Sequence, residues 1–365
     1  SIHYEVGKPH GGEVFRHAVF GVKPDEAVGI AADPAGIAFD FVIDDGEKGL
    51  NRWRLHARLR GQVETLTYEL ETAKKRQQDF YLDLDTRLRK LVMRAFTSRA
   101  TTALEEDIAQ LCHDLIDAFP DQPFDLLQAY CTQVPIVTIC RLLGVPEEMA
   151  PQLLDWSHRM VAMYQAARTP ETEQAAASAA QDFTAFLAEY VHKRRSEPAD
   201  DLITRLIAAE EQGDRLTTHE LIATCVLLLN AGHEATVHAL GNGAKTLLQQ
   251  GWDPAWLAPA GIENLVEEIL RFDPPLHLFT RYAYEEAEVM GHTFKRGDQV
   301  ALLLASANRD PAAEDEAEIF DPTRPARTNM SFGGGLHFCV GAPLARLEMR
   351  IALPILFQRC PDLRL

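Results

Sequence analysis

Near the C-terminus the chain reads "SFGGGLHFCVGAPLAR", residues 331–346, which sets one histidine and one cysteine inside a run of glycines. A free cysteine is most often one more small buried hydrophobe. Cys339 has a second prospect, because the stretch behind it, "VGAPLARLEMRIALPILF", is rich in helix formers. A sulfur there faces the unpaired N–H groups and positive end of a helix, which favours the thiolate and makes it a candidate metal ligand. Gly333, Gly334, Gly335 and Gly341 strip side chains from the loop, so that it can lie close against a large flat cofactor. His337 stands two residues before the cysteine, and Phe332 can cover the sulfur and keep water from a bound metal. Each feature alone is weak. The joint spacing F-G-x-G-x-H-x-C-x-G is specific.

Two further groupings carry charge at helical spacing. In "EEILRFD", Glu268 and Arg271 stand at i and i+3, on one helix face and within ion-pairing reach; the ordinary meaning of such a pair is a surface salt bridge. In "HEATVH" the two histidines suggest a zinc protease motif, but that motif needs them at i and i+4. His233 and His238 are five apart, about 140° around a helix, and Val237 holds the required position. Zinc is excluded, and both histidines read as packed or solvent-facing helix residues.

The elements that must position these groups are mostly helical. The spacing predicts helices in "TTALEEDIAQLCHDLIDAF", "QVPIVTICRLLGVPEEM", "SAAQDFTAFLAEYVHKRRSE" and "PADDLITRLIAAEEQG". A long helix, "TTHELIATCVLLLNAGHEATVHALGNGAKTLLQQG", is apolar nearly all round, the mark of a central buried element. "GIENLVEEILRF" is stopped by Pro274 and Pro275. Strand-like pieces follow, "LFTRYAY", "EVMGHTF" and "DQVALLLAS", with "KRGD" as a turn between two of them. Residues 1–80 are less legible: "AGIAFDFVID" alternates like a strand, and "LNRWRLHARLRGQVETLTYELETAKKRQQDF" favours helix. No repeat or linker divides the chain, so the reading is one domain over residues 1–365, mainly α with a small β region.

The 365 residues, 46% hydrophobic, suffice for a large core. A net charge of −18 argues against nucleic acid as a partner. Against that background Arg87, Arg89, Lys90, Arg94 and Arg99 form a local basic run, most simply a solvated helix face. No run of eighteen apolar residues and no signal peptide is legible, and the six cysteines show no CxxC pair. A soluble cytoplasmic protein with reduced thiols, not inserted in a membrane, is expected.

"FGGGLHFCVG" resembles the haem-binding loop of the cytochrome P450 family, and "GAPLARLE" its following helix in soluble bacterial members. The resemblance implies the cytochrome P450 fold and haem b, iron protoporphyrin IX, with Cys339 as axial thiolate. Phe332, Gly333, Gly335 and Gly341 would shape the loop, and His337 would contact a haem propionate. Glu268 and Arg271 resemble the family's ExxR motif, which with Arg324 of "FDPTR" implies a buried structural network. Arg281 corresponds to an arginine that pairs with a propionate, for which a guanidinium fork is suited. "NAGHEATVHAL" resembles the helix crossing the distal side: Ala231 and Gly232 leave room beside the iron, and Glu234 is the acid of a proton relay.

The family pattern breaks at three places. Ala235 stands where a threonine is usual, leaving proton delivery to ordered water, to Thr236 one place on, or to a substrate hydroxyl. In "DLDTRLR", Arg89 keeps a propionate-binding arginine, but Asp85 replaces the usual histidine and, unless protonated, cannot donate to a carboxylate. The match is good from about residue 86 and poor over 1–80, and the chain ends at "CPDLRL", before the expected C-terminal hairpin. The expected activity is insertion of one oxygen atom from dioxygen into a small lipophilic substrate, toward which Leu276, Leu278 and Phe279 would face. Electrons would come from an acidic ferredoxin-type or flavin-type donor docking on the cysteine side, with Arg87, Lys90 and Arg94 as candidate contacts. Peroxide-driven or non-oxygenating haem chemistry, or haem binding without turnover, are the alternatives that Ala235 leaves open.

Overall fold

Glu105, Glu106 and Asp107 fill the first turn of α1 (Glu105–Asp117), where acids complement the positive helix end, and Ile108, Leu111, Cys112 and Ile116 turn one face inward. The protein is described here by a computed structural model for residues 103–164, 168–211, 217–313, 315–325 and 327–365, all within one unit of the chain, Asp83–Leu365. The strand-like and helix-forming stretches of residues 1–80, and Asp85, Arg87, Arg89, Lys90, Arg94 and Arg99, lie outside the described residues.

A π-helical turn, Leu127–Cys131, leads into α2 (Gln133–Leu143). Gly144 ends α2 at φ +84°, and the amide of Val145 reaches back to the carbonyl of Cys140 at 3.0 Å, the six-to-one bond of a Schellman cap. α3 (Ala150–Val161) precedes α4 (Pro170–Ser196), which starts well before the expected "SAAQDF". The reason is local: Thr169 caps the amide of Thr172 and Pro170 takes the first helical position, where its missing N–H costs nothing. α5 (Leu202–Glu211) is followed by α6 (Thr218–Gln250), opened by a capping box in which Thr217 and Glu220 exchange side-chain and backbone hydrogen bonds.

Leu221, Cys225, Leu229, His233, Thr236, Leu240, Gly243 and Leu247 are buried on α6 at three- and four-residue intervals. That face packs against α2, α8 (Ile262–Phe272) and α10 (Ala342–Arg359), with the short α7 (Pro254–Leu257) before α8. The close approach at Gly243 is tight: an added Cβ would lie 3.2 Å from Ile269 of α8 and 3.5 Å from Leu353 of α10. Each fully buried Leu or Ile of this core contributes about 1.5–3 kcal/mol.

The β region is two small antiparallel ribbons. β1 (Leu278–Tyr282) pairs with β4 (Gln299–Leu303), Leu278 opposite Leu303, and β4 runs into α9 (Leu304–Asn308). "EVMGHTF", expected as a single strand, contributes to a hairpin: β2 (Ala287–Val289) turns through Met290 and Gly291 onto β3 (His292–Phe294). Among the described residues no helix is long and apolar enough to cross a membrane.

Candidate active site

The chain enters the cysteine loop through a polar clamp. The amide of Met330 donates to Asn308 Oδ1 at 2.6 Å, Asn308 Nδ2 donates to Ser331 Oγ at 2.9 Å, and that hydroxyl donates to the carbonyl of Leu270 at 2.6 Å. Asn329 Nδ2 donates to Glu267 Oε2 at 3.0 Å, and Arg346 of α10 grips both oxygens of the same carboxylate. The Arg346 guanidinium also lies 4.4 Å over the Phe332 ring. α8, α9 and α10 thus fix the strand entering the loop before any cofactor arrives.

Past the clamp the loop folds back on itself, the amide of Cys339 donating to the carbonyl of Phe332 at 3.0 Å. Gly333 and Gly335 take φ +69° and +65°, a conformation that side chains resist. A Cβ at Gly334 or Gly335 would meet no atom within 4 Å among the described residues, so the loop is open to them on that side, while one at Gly341 would sit 3.9 Å from Cys339 Sγ. His337 closes a single 3₁₀ turn, Gly335–His337.

All six cysteines lie among the described residues, and Cys339 alone is exposed. Burial pushes the thiol of Cys112 up to about 11 and those of Cys131, Cys140 and Cys225 up to about 12, where a thiolate is out of reach at neutral pH. Cys360 is half-buried, and burial raises it too. No group of three or more His, Cys, Asp or Glu converges among the described residues. One sulfur holds an iron firmly when the other ligands arrive with the metal, as in a porphyrin. A single accessible thiol, on a loop with open space over its glycines and an aromatic ring at its base, fits haem.

Glu268 and Arg271 form a buried pair, not a surface one. Arg271 Nε donates to Glu268 Oε2 at 2.7 Å and Nη2 to Oε1 at 2.8 Å. The remaining donors reach the carbonyls of Asn308, Ala317 and Ile319 at 3.1, 2.7 and 3.0 Å. Glu268 Oε1 also accepts the amide of Asp321, and Arg324 Nε stands 3.8 Å from Oε2. The triad therefore pins the segment from Asn308 to Asp321, and Asn308 in turn holds the loop entrance.

On α6, Ala231 is exposed and Gly232 approaches α2, where an added Cβ would lie 3.2 Å from Ile139. Leu227, 61% exposed, Ala231 and His238 make an open stripe along a helix otherwise packed. Glu234 and Ala235 are half-buried beside it, whereas Thr236 is buried on the packed side. His233 is fully buried and His238 lies at the surface. Arg281 is exposed on β1; it donates to the carbonyl of Thr280 and lies over the Phe279 ring, so its bonds described here stay within its strand. Sequence reasoning missed Glu267, Asn308, Asn329, Ser331 and Arg346, which hold the loop entrance. Only Arg346, an arginine inside "GAPLAR", had a local signal to offer.

A helical domain presenting one cysteine on an open glycine loop defines a haem-thiolate protein. The family model "Cytochrome P450" matches residues 262–361. The chain is 38% identical over 284 residues to the polyketide biosynthesis cytochrome P450 PksS of Bacillus subtilis, covering 77% of this chain and 69% of that protein. It is 41% identical over 285 residues to the vitamin D(3) 25-hydroxylase of Pseudonocardia autotrophica, with the same coverage. A crystal structure of P450BioI with an acyl carrier protein ligated to hexadec-9Z-enoic acid superposes with a TM-score of 0.71 at 35% identity, covering 76% of this chain and 73% of that one. The chain belongs to the cytochrome P450 family, and it is a monooxygenase of that haem-iron class with a small-molecule substrate and a redox partner. A second model, "TolA binding protein trimerisation", matches residues 56–97. The signal for it in the sequence is a run at alternating four- and three-residue spacing, Leu59, Val63, Leu66, Leu70, Ala73, Gln77, Phe80 and Leu84.

Proposed function

We propose that this cytochrome P450 binds haem b through Cys339 and, in the cytoplasm, inserts one atom of dioxygen into a small lipophilic substrate, using electrons from a ferredoxin-type or flavin-type donor. The observation that carries the reading is the exposed Cys339 on a loop held by its own backbone and by the α8–α9–α10 clamp. When bound, the haem supplies the redox chemistry of dioxygen activation. The chain supplies the rest. Phe332, Gly333, Gly335 and Gly341 shape the seat, His337, Arg281 and Arg89 hold the propionates, and Ala231 and Gly232 border the distal side. Glu234 holds and passes protons. Glu268, Arg271 and Arg324 keep the scaffold in place. The exposed apolar residues Leu227, Leu276, Leu278, Leu302 and Leu303 suit a lipophilic substrate, and the relatives named for polyketide biosynthesis and vitamin D(3) hydroxylation support that class.

The test is the spectrum of the reduced protein under carbon monoxide. A strongly red-shifted Soret band, lost in Cys339→Ala, is expected; a haem-loaded protein whose spectrum ignores that substitution overturns the assignment. Labelled dioxygen then traces oxygen into product. A peroxide-driven enzyme is the second reading, favoured by the lack of a hydroxyl at Ala235 and the burial of Thr236; faster turnover with peroxide than with NADPH and a surrogate donor would select it. The heptad run at residues 59–84 supports a further part of the proposal, that this segment joins copies of the chain into a trimer.

A further inference from the structure

Arg346 and Glu267 form a charge pair that has a direction. Arg346 lies in the second turn of α10, the helix that starts at Ala342 just after Cys339, and Glu267 lies on α8. The Arg346 Nε and Nη2 hold the two Glu267 oxygens, Nη2 at 3.0 Å, and the side chains are only 29% and 18% exposed. The cation is the end laid on the loop, its Cζ 4.4 Å over the ring of Phe332. The anion is the end held by α8, and its other described partner is Asn329 Nδ2 at 3.0 Å. Nearby carboxylates are matched by other arginines, Glu268 by Arg271 at 2.7 Å and Glu263 by Arg350 at 3.1 Å.

Phe332 joins this pair to the cysteine. Its ring carries the guanidinium and packs against the core, while its carbonyl accepts the amide of Cys339 at 3.0 Å. A bidentate carboxylate fixes the plane of a guanidinium, and the face of an aromatic ring fixes its height. Reduction of a thiolate-bound haem adds one negative charge. A cation nearby favours that change and an anion opposes it, and both act with weak screening where they are partly buried behind a ring. Net charge and the apolar shell around a metal ligand are levers on its reduction potential.

We propose that Arg346 and Glu267 are positioning residues for electron uptake, acting through Phe332 as opposed charges: Arg346 raises the reduction potential of the Cys339 site and Glu267 lowers it. The step they govern is the loss of one electron by the donor and its gain by the ferric site, with no bond made or broken and no proton moved. The proposal rests on the haem-thiolate reading and adds to it a charge pair that decides which donors are strong enough to reduce the site.

The test uses the full-length, haem-loaded protein. Reduction potential is measured by dithionite titration with mediator dyes, beside the carbon monoxide spectrum, thermal melting and the rate of haem loss. Arg346→Met removes the cation and leaves the Glu267 carboxylate, so the potential should fall. Glu267→Gln keeps shape and leaves the cation over the ring, so the potential should rise. The double variant should return toward wild type, and Arg346→Lys, which keeps the charge without the planar stack, should stay above Arg346→Met. Both single variants loosen the same clamp and should speed haem loss. A merely structural role would therefore move both potentials the same way and the double variant furthest. Shifts of one sign in the two single variants overturn the proposal, as does an unchanged potential in Glu267→Gln, which decides alone if Arg346→Met does not load haem. Failure of the haem-thiolate reading shows separately, as a missing red-shifted Soret band in the wild-type protein.

Discussion

Replacing Arg271 by lysine removes the one side chain that can satisfy its surroundings. To the described residues the guanidinium makes five hydrogen bonds, two to Glu268 and three to the carbonyls of Asn308, Ala317 and Ile319. An ammonium has three donors and no planar fork, so at least two buried acceptors lose a partner. At ~1–3 kcal/mol for each orphaned buried group, Arg271→Lys should destabilise the fold by about 2–6 kcal/mol. Arg271→Ala also leaves the Glu268 carboxylate with the Asp321 amide and with Arg324, 3.8 Å away, as its described partners, and should lose more than about 5 kcal/mol, since an undercompensated buried charge by itself costs ~3–5. The double change Glu268→Met with Arg271→Leu removes the charge together with its partner and should recover part of that loss. Urea unfolding gives the comparison through the midpoint at constant m-value. Because the triad pins Asn308, which holds Met330 and Ser331, the rate of haem loss should rise in the same order. A lysine variant within 1 kcal/mol of wild type, or a double variant less stable than Arg271→Ala, would refute this account of the triad.

Three further outcomes follow from single residues. Gly144→Ala should cost at least ~2 kcal/mol, because φ is +84° and its Cβ would lie 2.1 Å from Asp201 Oδ2, which binds Arg194 at 2.6 Å; thermal melting reads it. Glu348 is buried on α10, its carboxyl oxygens without a hydrogen-bond partner among the described residues, and burial raises its carboxyl to about 8 from 4.5. Between those values the unfolded chain binds fewer protons than the folded one, so stability should fall as pH rises from about 4.5 to about 8 and then level off; Glu348→Gln should remove that slope in urea titrations at several pH values. Leu66→Lys with Leu70→Lys, at seam positions of the heptad run, should convert a trimer to monomer in light scattering without changing the carbon monoxide spectrum; a wild-type chain that is monomeric removes the assembly proposal.

The Cys339 loop was legible because its chemistry demands particular residue types at fixed local spacing, and the long helices because burial of one face imposes a period. The β2–β3 hairpin was not, for a definite reason. Its turn puts both central residues at positive φ, Met290 at 52° and Gly291 at 78°, and such turns are signalled by Asn-Gly or Asp-Gly. Methionine in the first position hides the turn inside an apparent strand. Asn308, Asn329 and Ser331 were silent for another reason: a lone amide or hydroxyl has no period, and each finds its partner far away along the chain, Asn308 of α9 in Met330 and Ser331, Asn329 and Ser331 in Glu267 and Leu270 of α8.

α6 shows where hydrophobicity itself stops being informative. Its apolar circumference predicts an element buried all round, and most of it is. Yet Leu227 stands 61% exposed in line with Ala231, while Leu229 and Cys225 on the other side are wholly buried. An apolar residue facing a core and one facing a lipophilic ligand obey the same transfer free energy, so composition cannot separate them. What separates them is the neighbour: Gly232 and Gly243 mark the packed side, where a methyl group would meet Ile139, Ile269 or Leu353. Ala231 marks the side left for something else, and Glu234, half-buried beside it, is the one acid on this stretch of the helix.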